Sequence, residues 1–150
     1  MTWTKCYSGR VKLVVQVKLL PSPEQASALD ATLRACNTAA SDVAATAREI
    51  GCYRNYDLRK HAYQDIKSDY GLGAQAAQHV IKKVADAYAT LKANLRAGNY
   101  GKPGSERRRR VETNPVGFRR DAAQPYDARM LSGRHDARTV SIWTVAGRLG

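Results

Sequence analysis

At 150 residues with 43% hydrophobic side chains, the chain is long enough to bury one core, or to form two small pieces that share one. Its 25 Lys and Arg residues outnumber its 13 Asp and Glu residues, and the net charge of +12 indicates a polyanionic partner, most commonly nucleic acid. Because no apolar run reaches about 18 residues and the first twenty residues carry four cations, we expect neither a membrane-spanning helix nor a signal peptide.

The first predicted element is a β-strand over residues 10–20. The sequence RVKLVVQVKLL alternates apolar residues on one face with mostly polar and basic residues on the other, as in a half-buried strand. Pro21 ends this alternation. One strand before the helices and several after them suggest a β-domain interrupted by a helical insertion, which is an α+β fold.

A long amphipathic helix is predicted to begin after Ser22. Ser22 can act as the N-cap, Pro23 suits the first helical position, and Gln25 can complete a capping box. Apolar or small residues then recur at intervals of three and four as far as Ile50, and Gly51 ends the pattern. Because this stripe is rich in alanine, the helix can pack closely against a neighbour.

Two more helices complete a predicted bundle over residues 22–98. The connector after Gly51 is rich in aromatic and charged residues, and a short helix is expected near residues 57–69. A second long helix is predicted over residues 74–97, with Gly98 at its end. Its buried stripe is expected at Ala77, Ile81, Val84, Tyr88, Leu91 and Leu95.

The composition changes after the bundle. Residues 99–114 are rich in glycine and then strongly basic, which predicts a linker or a loop that its ligand orders. Three β-like pieces follow in residues 115–150: PVGFRRD, QPYDARML and TVSIWTVAG. The last one predicts a strand followed by an Ala146-Gly147 turn. Such a strand needs a partner for its free N–H and C=O groups, and we expect that partner to be missing.

The densest basic stretch could contact phosphates. It consists of Lys102, Arg107, Arg108, Arg109, Arg110, Arg119, Arg120 and Arg129. Neutralising six to ten phosphates would make affinity fall roughly a thousand-fold or more between low and moderate salt. The alternative is a solvated, disordered linker. Because four consecutive arginines repel one another, phosphate contact is the favoured interpretation.

Two further groups could contact bases. One polar stripe on the second long helix comprises Gln75, Gln78, Lys82 and Arg96, with Lys92 beside it. The short side chains of Ala85 and Ala89 lie between these residues and keep the surface of the stripe low and flat. An ordinary solvated helix face explains the polar stripe equally well. Four tyrosines of the connector could stack on exposed bases: Tyr53, Tyr56, Tyr63 and Tyr70. Because Tyr56 and Tyr63 are seven residues apart, packing in the core is the favoured interpretation.

No catalytic or metal-binding constellation is recognisable. His61, His79 and His135 are scattered, and the three cysteines include no C-x-x-C pair. This cysteine usage favours a reducing compartment, so we expect a cytoplasmic protein. Most carboxylates fall in predicted helices, where solvated faces explain them, and we expect no metal or other cofactor in these residues.

Four passages, in order, carry a resemblance to a known family. They are LLPSPEQASALDATLRACNTAASDVA, AQAAQHVIKKVADAYATL, NPVGFRRDAAQPYDARMLS and ARTVSIWTVAGRL. The first two resemble the first helix and the Gln-rich second helix of insertion-sequence OrfB transposases, the TnpB family. The last two resemble the passage that precedes the nuclease domain of these proteins. The resemblance covers residues 11–150.

The resemblance implies an RNA-guided DNA endonuclease of a particular layout. Such proteins carry an N-terminal β-barrel, here residues 1–21 and 115–150, interrupted by a helical recognition domain and followed by a RuvC-like nuclease domain with a zinc-binding insertion. The barrel and helices hold guide RNA and read a short motif beside the target, while base pairing reads the rest. The expected partners are therefore guide RNA and double-stranded target DNA, with no membrane and no small-molecule substrate.

The resemblance also assigns places to individual residues. It places Gln75, Gln78 and Lys82 near the motif-bearing duplex, with Tyr53 on the same surface. It places Lys102, Arg119, Arg120 and Arg129 against the backbone of RNA or of the heteroduplex. The catalytic carboxylates and cysteine ligands of the family come after residue 150, so divalent metal and zinc are expected only there. The chain alone is not expected to cut DNA.

Two other classes of function remain open. The chain could be a self-sufficient basic regulator that binds nucleic acid, or a non-functional, truncated remnant that folds only in part. A monodisperse chain that melts cooperatively would favour the regulator, whereas an aggregating chain with an unpaired edge strand would favour a broken nuclease. Protected helices beside an unprotected first strand would favour the remnant.

Overall fold

The computed structural model describes residues 16–134 and 136–150 and shows a mixed fold of helices and sheet. Its helices are α1 (Pro23–Glu49), α2 (Asn55–Tyr70), α3 (Ala74–Arg96) and α4 (Glu106–Thr113). Its strands are β1 (Leu131–Arg134), β2 (Thr139–Thr144) and β3 (Gly147–Leu149). The two long helices and the shorter one between them are confirmed, and α2 is slightly longer than expected.

The start of α1 forms as its sequence predicts. The Gln25 N–H donates to Ser22 Oγ at 3.3 Å, and the Ser22 N–H donates back to Gln25 Oε1 at 3.0 Å, which completes the capping box. Pro23 occupies the first turn. After the helix, Gly51 adopts a φ of +65°, a conformation that glycine tolerates without strain.

One hydrophobic core joins α1, α2 and α3. Leu58 and Ile66 of α2 are buried against the alanine-rich stripe of α1 and against α3. On α3 the predicted stripe is buried from Ala77 to Tyr88, while Leu91 and Leu95 are half-buried. Met130, which lies beyond α4, is buried in the same core.

The interpretation of residues 99–114 as a linker is wrong for their second half, which forms α4. Ser105 caps this helix by accepting the Arg108 N–H at 3.4 Å. Glu106 and Glu112 pair with arginines of the same helix, which offsets the repulsion expected in the run. The high charge of the arginine run favours a linker in any reading of composition, so the N-cap at Ser105 was not recognised as the start of a helix.

The β-like piece PVGFRRD is not a strand, and only the last residue of QPYDARML, Leu131, belongs to one, as the first residue of β1. Residues 115–130 follow an irregular path across the helices. Their apolar side chains (Val116, Phe118 and Tyr126) pack against the helical core rather than within a sheet. The hydroxyl groups of Ser41 and Tyr88 accept backbone N–H groups of this segment, a role that strand partners would otherwise fill.

The partner expected to be missing from the final strand is present. β2 pairs antiparallel with β1, with Leu131 opposite Ile142, and with β3, with Ile142 opposite Leu149. The turn before β3 uses Gly147 at a φ of +114°. Thus β2 is the central strand of an antiparallel sheet in the order β1-β2-β3.

The sheet packs against the N-terminal half of α1 and the start of α3. The Val145 N–H donates to Thr32 Oγ1 of α1 at 3.0 Å. Trp143 lies so close to Gly73 that a Cβ at residue 73 would be 3.3 Å from the indole ring, so a larger residue at the N-cap of α3 would require the ring to shift by a few tenths of an ångström.

Residues 10–15 of the predicted first strand lie outside the described residues, and residues 16–20 form no strand. Val17, Leu19 and Leu20 line a groove together with Val140 and Leu149 of the sheet. The described residues therefore contain an open three-stranded sheet with residues 17–21 beside it, and no closed barrel is seen among them.

Candidate nucleic-acid interface

A groove of about 630 Å³ lies where α1 ends and α2 begins, against the second half of α3. Its floor includes Ala85 and Ala89, whose short side chains leave the surface of α3 low. Tyr53 and Arg54 border it from the start of α2, and Lys92 borders it from α3. We call this surface the α2–α3 groove.

Two tyrosines and one arginine form one wall of the α2–α3 groove. The ring centroids of Tyr53 and Tyr88 are 4.6 Å apart with a tilt of 46°, and the Arg48 guanidinium lies 5.7 Å from the Tyr88 centroid. Tyr88 is fixed because its hydroxyl donates to the Ala44 carbonyl at 2.7 Å. Tyr53 is 36% exposed, so part of its ring is accessible to a ligand.

Positive charge predominates around the α2–α3 groove. Arg48, Arg54 and Lys92 line it, and Asp57 is its acidic lining residue. Asp57 is itself paired with Lys60 at 3.6 Å. A concave site with this balance attracts polyanions and raises their local concentration.

A second groove of about 470 Å³ lies between α3 and α4. Tyr100, Arg110 and Asn94 line it, and Leu91 lines both grooves. The guanidinium of Arg107 lies 5.8 Å from the Tyr100 centroid. The two grooves therefore adjoin each other along the C-terminal half of α3, and we call the second one the α3–α4 groove.

The four consecutive arginines do not form one face. A step of about 100° per helical residue directs them to four sides of α4. Arg108 is only 21% exposed in its side chain and pairs with Glu112 at 2.7 Å, while Arg109 and Arg110 share Glu106. With four Arg and two Glu, the net charge of α4 is +2. Arg110 is the member of the run that lines a groove.

Gln75 and Arg129 come together, but in a network that also supports the fold. The Gln75 amide donates to Asp127 Oδ2 at 2.5 Å and accepts from Arg129 Nη1 at 3.1 Å. His79 Nε2 lies 3.4 Å from the same carboxylate. Partial burial favours a raised pKa for Asp127, but N–H donors from Arg129, Met130 and His79 outweigh it and lower that pKa. The amide of Gln75 is thus engaged within the protein.

The remaining predicted residues lie in separate places. Gln78 is half-buried on α3, and Lys82 is exposed there and pairs with Asp86. Lys102 is exposed in the turn before α4, where its carbonyl accepts the Ser105 N–H at 3.1 Å. Arg119 and Arg120 are exposed on the irregular segment after α4.

The tyrosines divide between core and surface. Tyr63 and Tyr70 are half-buried and pack against the core, as favoured from the sequence. Tyr56 is 71% exposed, and the Lys60 ammonium lies 4.5 Å from its ring centroid, so the core assignment is wrong for this residue.

Sequence reasoning missed Arg48 as a residue of the site. Arg48 Nη2 donates to the carbonyls of Val111 and Asn114 at 3.1 and 2.9 Å. A single arginine thus joins the end of α1 to the end of α4 and contacts both tyrosines of the groove. Arg48 lies in the last turn of α1, which explains why its side chain lies at the end of the bundle. Nothing in the sequence identifies its hydrogen-bond partners, which come more than sixty residues later in the chain.

Comparisons with protein-family models, with curated proteins and with solved structures find no match for this chain. Within residues 16–134 and 136–150, no three His, Cys, Asp or Glu side chains come together in a way that could hold a metal ion. Over the same residues, no helix has the length and apolar character needed to cross a bilayer.

Proposed function

We propose that this chain is the N-terminal, nucleic-acid-binding part of a TnpB-like RNA-guided DNA endonuclease. In this proposal it binds guide RNA and target-adjacent duplex DNA in the cytoplasm and does not cleave DNA by itself. The observation that carries the proposal is the α2–α3 groove, where Tyr53 stands among Arg48, Arg54 and Lys92 above a low alanine floor. The resemblance in four ordered passages supplies the family.

The chemistry of the groove suits a nucleic-acid strand. An accessible tyrosine ring offers a face on which any base can stack, and cations at the rim can follow the phosphates. Tyr53 is held for this role by its contact with Tyr88 and by the Arg48 Nη1 donor, 3.3 Å from its hydroxyl. Because these contacts within the protein already hold the ring, little side-chain order would have to be gained on binding.

The proposal includes the β-barrel implied by the resemblance. Residues 1–21 would add to the sheet that β1, β2 and β3 begin. The groove lined by both Val17–Pro21 and sheet residues such as Val140 supports this arrangement, because it places residues 17–21 beside the sheet. Gln78 and Lys82 would then complete a motif-reading surface on α3.

Gel-shift titrations test the proposal with two RNAs of equal length, one derived from the end of the encoding element and one unrelated. The end-derived RNA should bind more tightly over a range of salt concentrations. Tyr53→Ala should weaken binding roughly 5- to 150-fold, the range for loss of one stacked base. Tyr56→Ala is the matched control, since Tyr56 is an exposed tyrosine three residues further along, in the first turn of α2, and does not line the groove.

Two outcomes would contradict the proposal. If both RNAs bind equally and are released together as salt rises, the chain is only a generic basic binder. If Tyr53→Ala and Tyr56→Ala bind as tightly as the unaltered chain, the α2–α3 groove is not the binding surface.

A stand-alone regulator is the second candidate, and the pairing of β2 on both sides favours it. In this sheet the longest strand is paired on both sides and the edges are the short strands β1 and β3, and short edge strands are less prone to edge-to-edge aggregation. Cooperative melting of a monodisperse chain, together with tight binding to duplex DNA without any RNA, would support this candidate over the guided nuclease.

A further inference from the structure

A hydrogen-bonded turn formed by residues 119–122 presents two arginines from a fixed backbone. The Ala122 N–H donates to the Arg119 carbonyl at 3.0 Å and closes the turn. Arg119 and Arg120 are exposed, and the Arg119 side chain retains 87% of its accessible surface. Asp121 is the nearby acid, and its carboxylate lies 4.0 Å from Arg119 Nε.

Side chains of α1 hold this turn in place. Asn37, which is 1% exposed, donates through Nδ2 to the carbonyls of Arg120 and Ala122, each at 2.9 Å. Ser41, one turn along α1, accepts the Phe118 N–H at 3.3 Å. The backbone on both sides of the two arginines is thereby attached to one rigid helix.

Lys83 of α3 fixes the orientation of the Asn37 amide. Its ammonium donates to Asn37 Oδ1 at 2.5 Å and lies 5.1 Å from the Phe118 ring centroid. Since an ammonium can donate only to the oxygen, the amide nitrogen must face the turn. The Asn37 amide therefore has partners for its oxygen and for its nitrogen, all within the protein.

We propose that the Arg119–Ala122 turn is a preorganised site for the phosphodiester backbone and that Asn37 is its positioning residue. The inference rests on the proposed nucleic-acid-binding function. It adds to the expected backbone contacts of Arg119 and Arg120 the fixed turn that presents them and the residue that holds this turn. Two guanidinium groups on adjacent residues can bridge neighbouring phosphates. Because the turn is already closed and attached to α1, binding orders only the two side chains.

The first experiment replaces the arginines. Arg119→Gln/Arg120→Gln should reduce the slope of log K against log salt by about 2 on duplex DNA and by a little less on single-stranded RNA, since each phosphate contact contributes about 0.9 or 0.7. The control is Arg59→Gln/Lys67→Gln, an equal loss of charge on exposed residues of α2. Helix α2 packs on a different face of α1, around Ala39 and Val43. Comparing the RNA and duplex DNA arms shows which backbone occupies the site.

The second experiment tests the role of Asn37. Asn37→Ala should lower affinity roughly 3- to 10-fold, because the backbone of the turn must then be ordered on binding in addition to the two arginine side chains. In the Arg119→Gln/Arg120→Gln background the same change should have no further effect on affinity. A purely structural Asn37 would instead lower affinity equally in both backgrounds. If Asn37→Ala does not fold, Ser41→Ala takes its place in the cycle.

The outcomes separate the two proposals. If the unaltered chain binds and the arginine variant matches it in affinity and slope, the turn is not a phosphate site, while the α2–α3 groove proposal stands. If the control variant reduces the slope as much as the arginine variant does, only total charge matters and the turn proposal is wrong. If the unaltered chain binds neither nucleic acid, both proposals fall.

Discussion

Arg48 is the residue on which the bundle end depends. Its guanidinium lies beside the paired rings of Tyr53 and Tyr88 and donates to two carbonyls at the end of α4. The carbonyls of Val111 and Asn114 lie at the C-terminal end of α4, where carbonyl groups have no donor within the helix, and Arg48 supplies one. The same side chain therefore supports the wall of the α2–α3 groove and attaches α4 to the body of the protein.

Arg48→Met should destabilise the fold by about 1–3 kcal/mol, because two carbonyls lose a charged donor while the apolar stem remains. Arg48→Lys should not restore stability fully, since an ammonium cannot reproduce the planar fork. Urea denaturation followed by circular dichroism measures both changes. Arg34→Met, which removes an exposed arginine paired with Asp30, is the control and should change stability by less than about 0.5 kcal/mol.

Prediction from the sequence was least successful for the contacts of individual residues. Gln75 and Arg129 were each assigned to a nucleic-acid surface, but the bond between them joins residues 54 positions apart. Helical spacing shows that Gln75 lies on a polar face, and it does not show that Asp127 already accepts a hydrogen bond from its amide. Contacts of this separation depend on the tertiary fold rather than on any local pattern.

At the scale of elements, a helix was predictable where its sequence carries both an N-cap signal and apolar residues spaced at three and four. α1 has a capping box, a repeat of three and four residues and a terminal glycine, and all three features appear in the structure. Residues 115–130 were not predictable, because their order depends on side chains of other elements, such as Asn37 and Tyr88. Short alternation of apolar residues fits an irregular segment on a helical core as well as it fits a strand.

Helix α4 allows a test of how its arginines divide between structure and binding. Arg110→Gln should reduce the slope of log K against log salt by about 0.9 on duplex DNA, because Arg110 lines the α3–α4 groove. Arg108→Gln should leave the slope nearly unchanged, since Arg108 is mostly buried against α4's own Glu112. Gel-shift titrations at several salt concentrations measure both slopes, and equal effects of the two changes would contradict this division.

At the scale of the whole molecule, the bundle and the residues after α4 share one core. Met130 is buried with α1, α2 and α3, and Trp143 of the sheet packs against the same cluster. A net charge of +12 was read directly from the composition, whereas its distribution over two grooves and a turn required the fold. Because the core is shared, Cys36, Lys83 and Tyr126 lie near one another and are shielded from water, which shifts the pKa of each group.

The buried thiol of Cys36 should make stability depend on alkaline pH. Burial raises the pKa of Cys36 from 9.0 to about 11, although the nearby Lys83 ammonium opposes the rise. A raised acid pKa gives stability that is complete below pH 9 and is lost as pH increases through about 11. Cys36 alone should remove about 2–3 kcal/mol of unfolding free energy over that window. Urea denaturation under reducing conditions from pH 8 to pH 11 measures the decline.

Two neighbours of Cys36 act with opposite signs in this titration. Burial raises the pKa of Tyr126 from 10.0 to about 12, so its contribution is lost over a higher window. Burial lowers the pKa of Lys83, which therefore adds stability as pH rises towards 10.5 and offsets part of the loss. Cys36→Ala should shift the whole curve downwards through lost packing but flatten its decline between pH 9 and pH 11. A decline in Cys36→Ala as steep as in the unaltered chain would show that the thiol is not the titrating group.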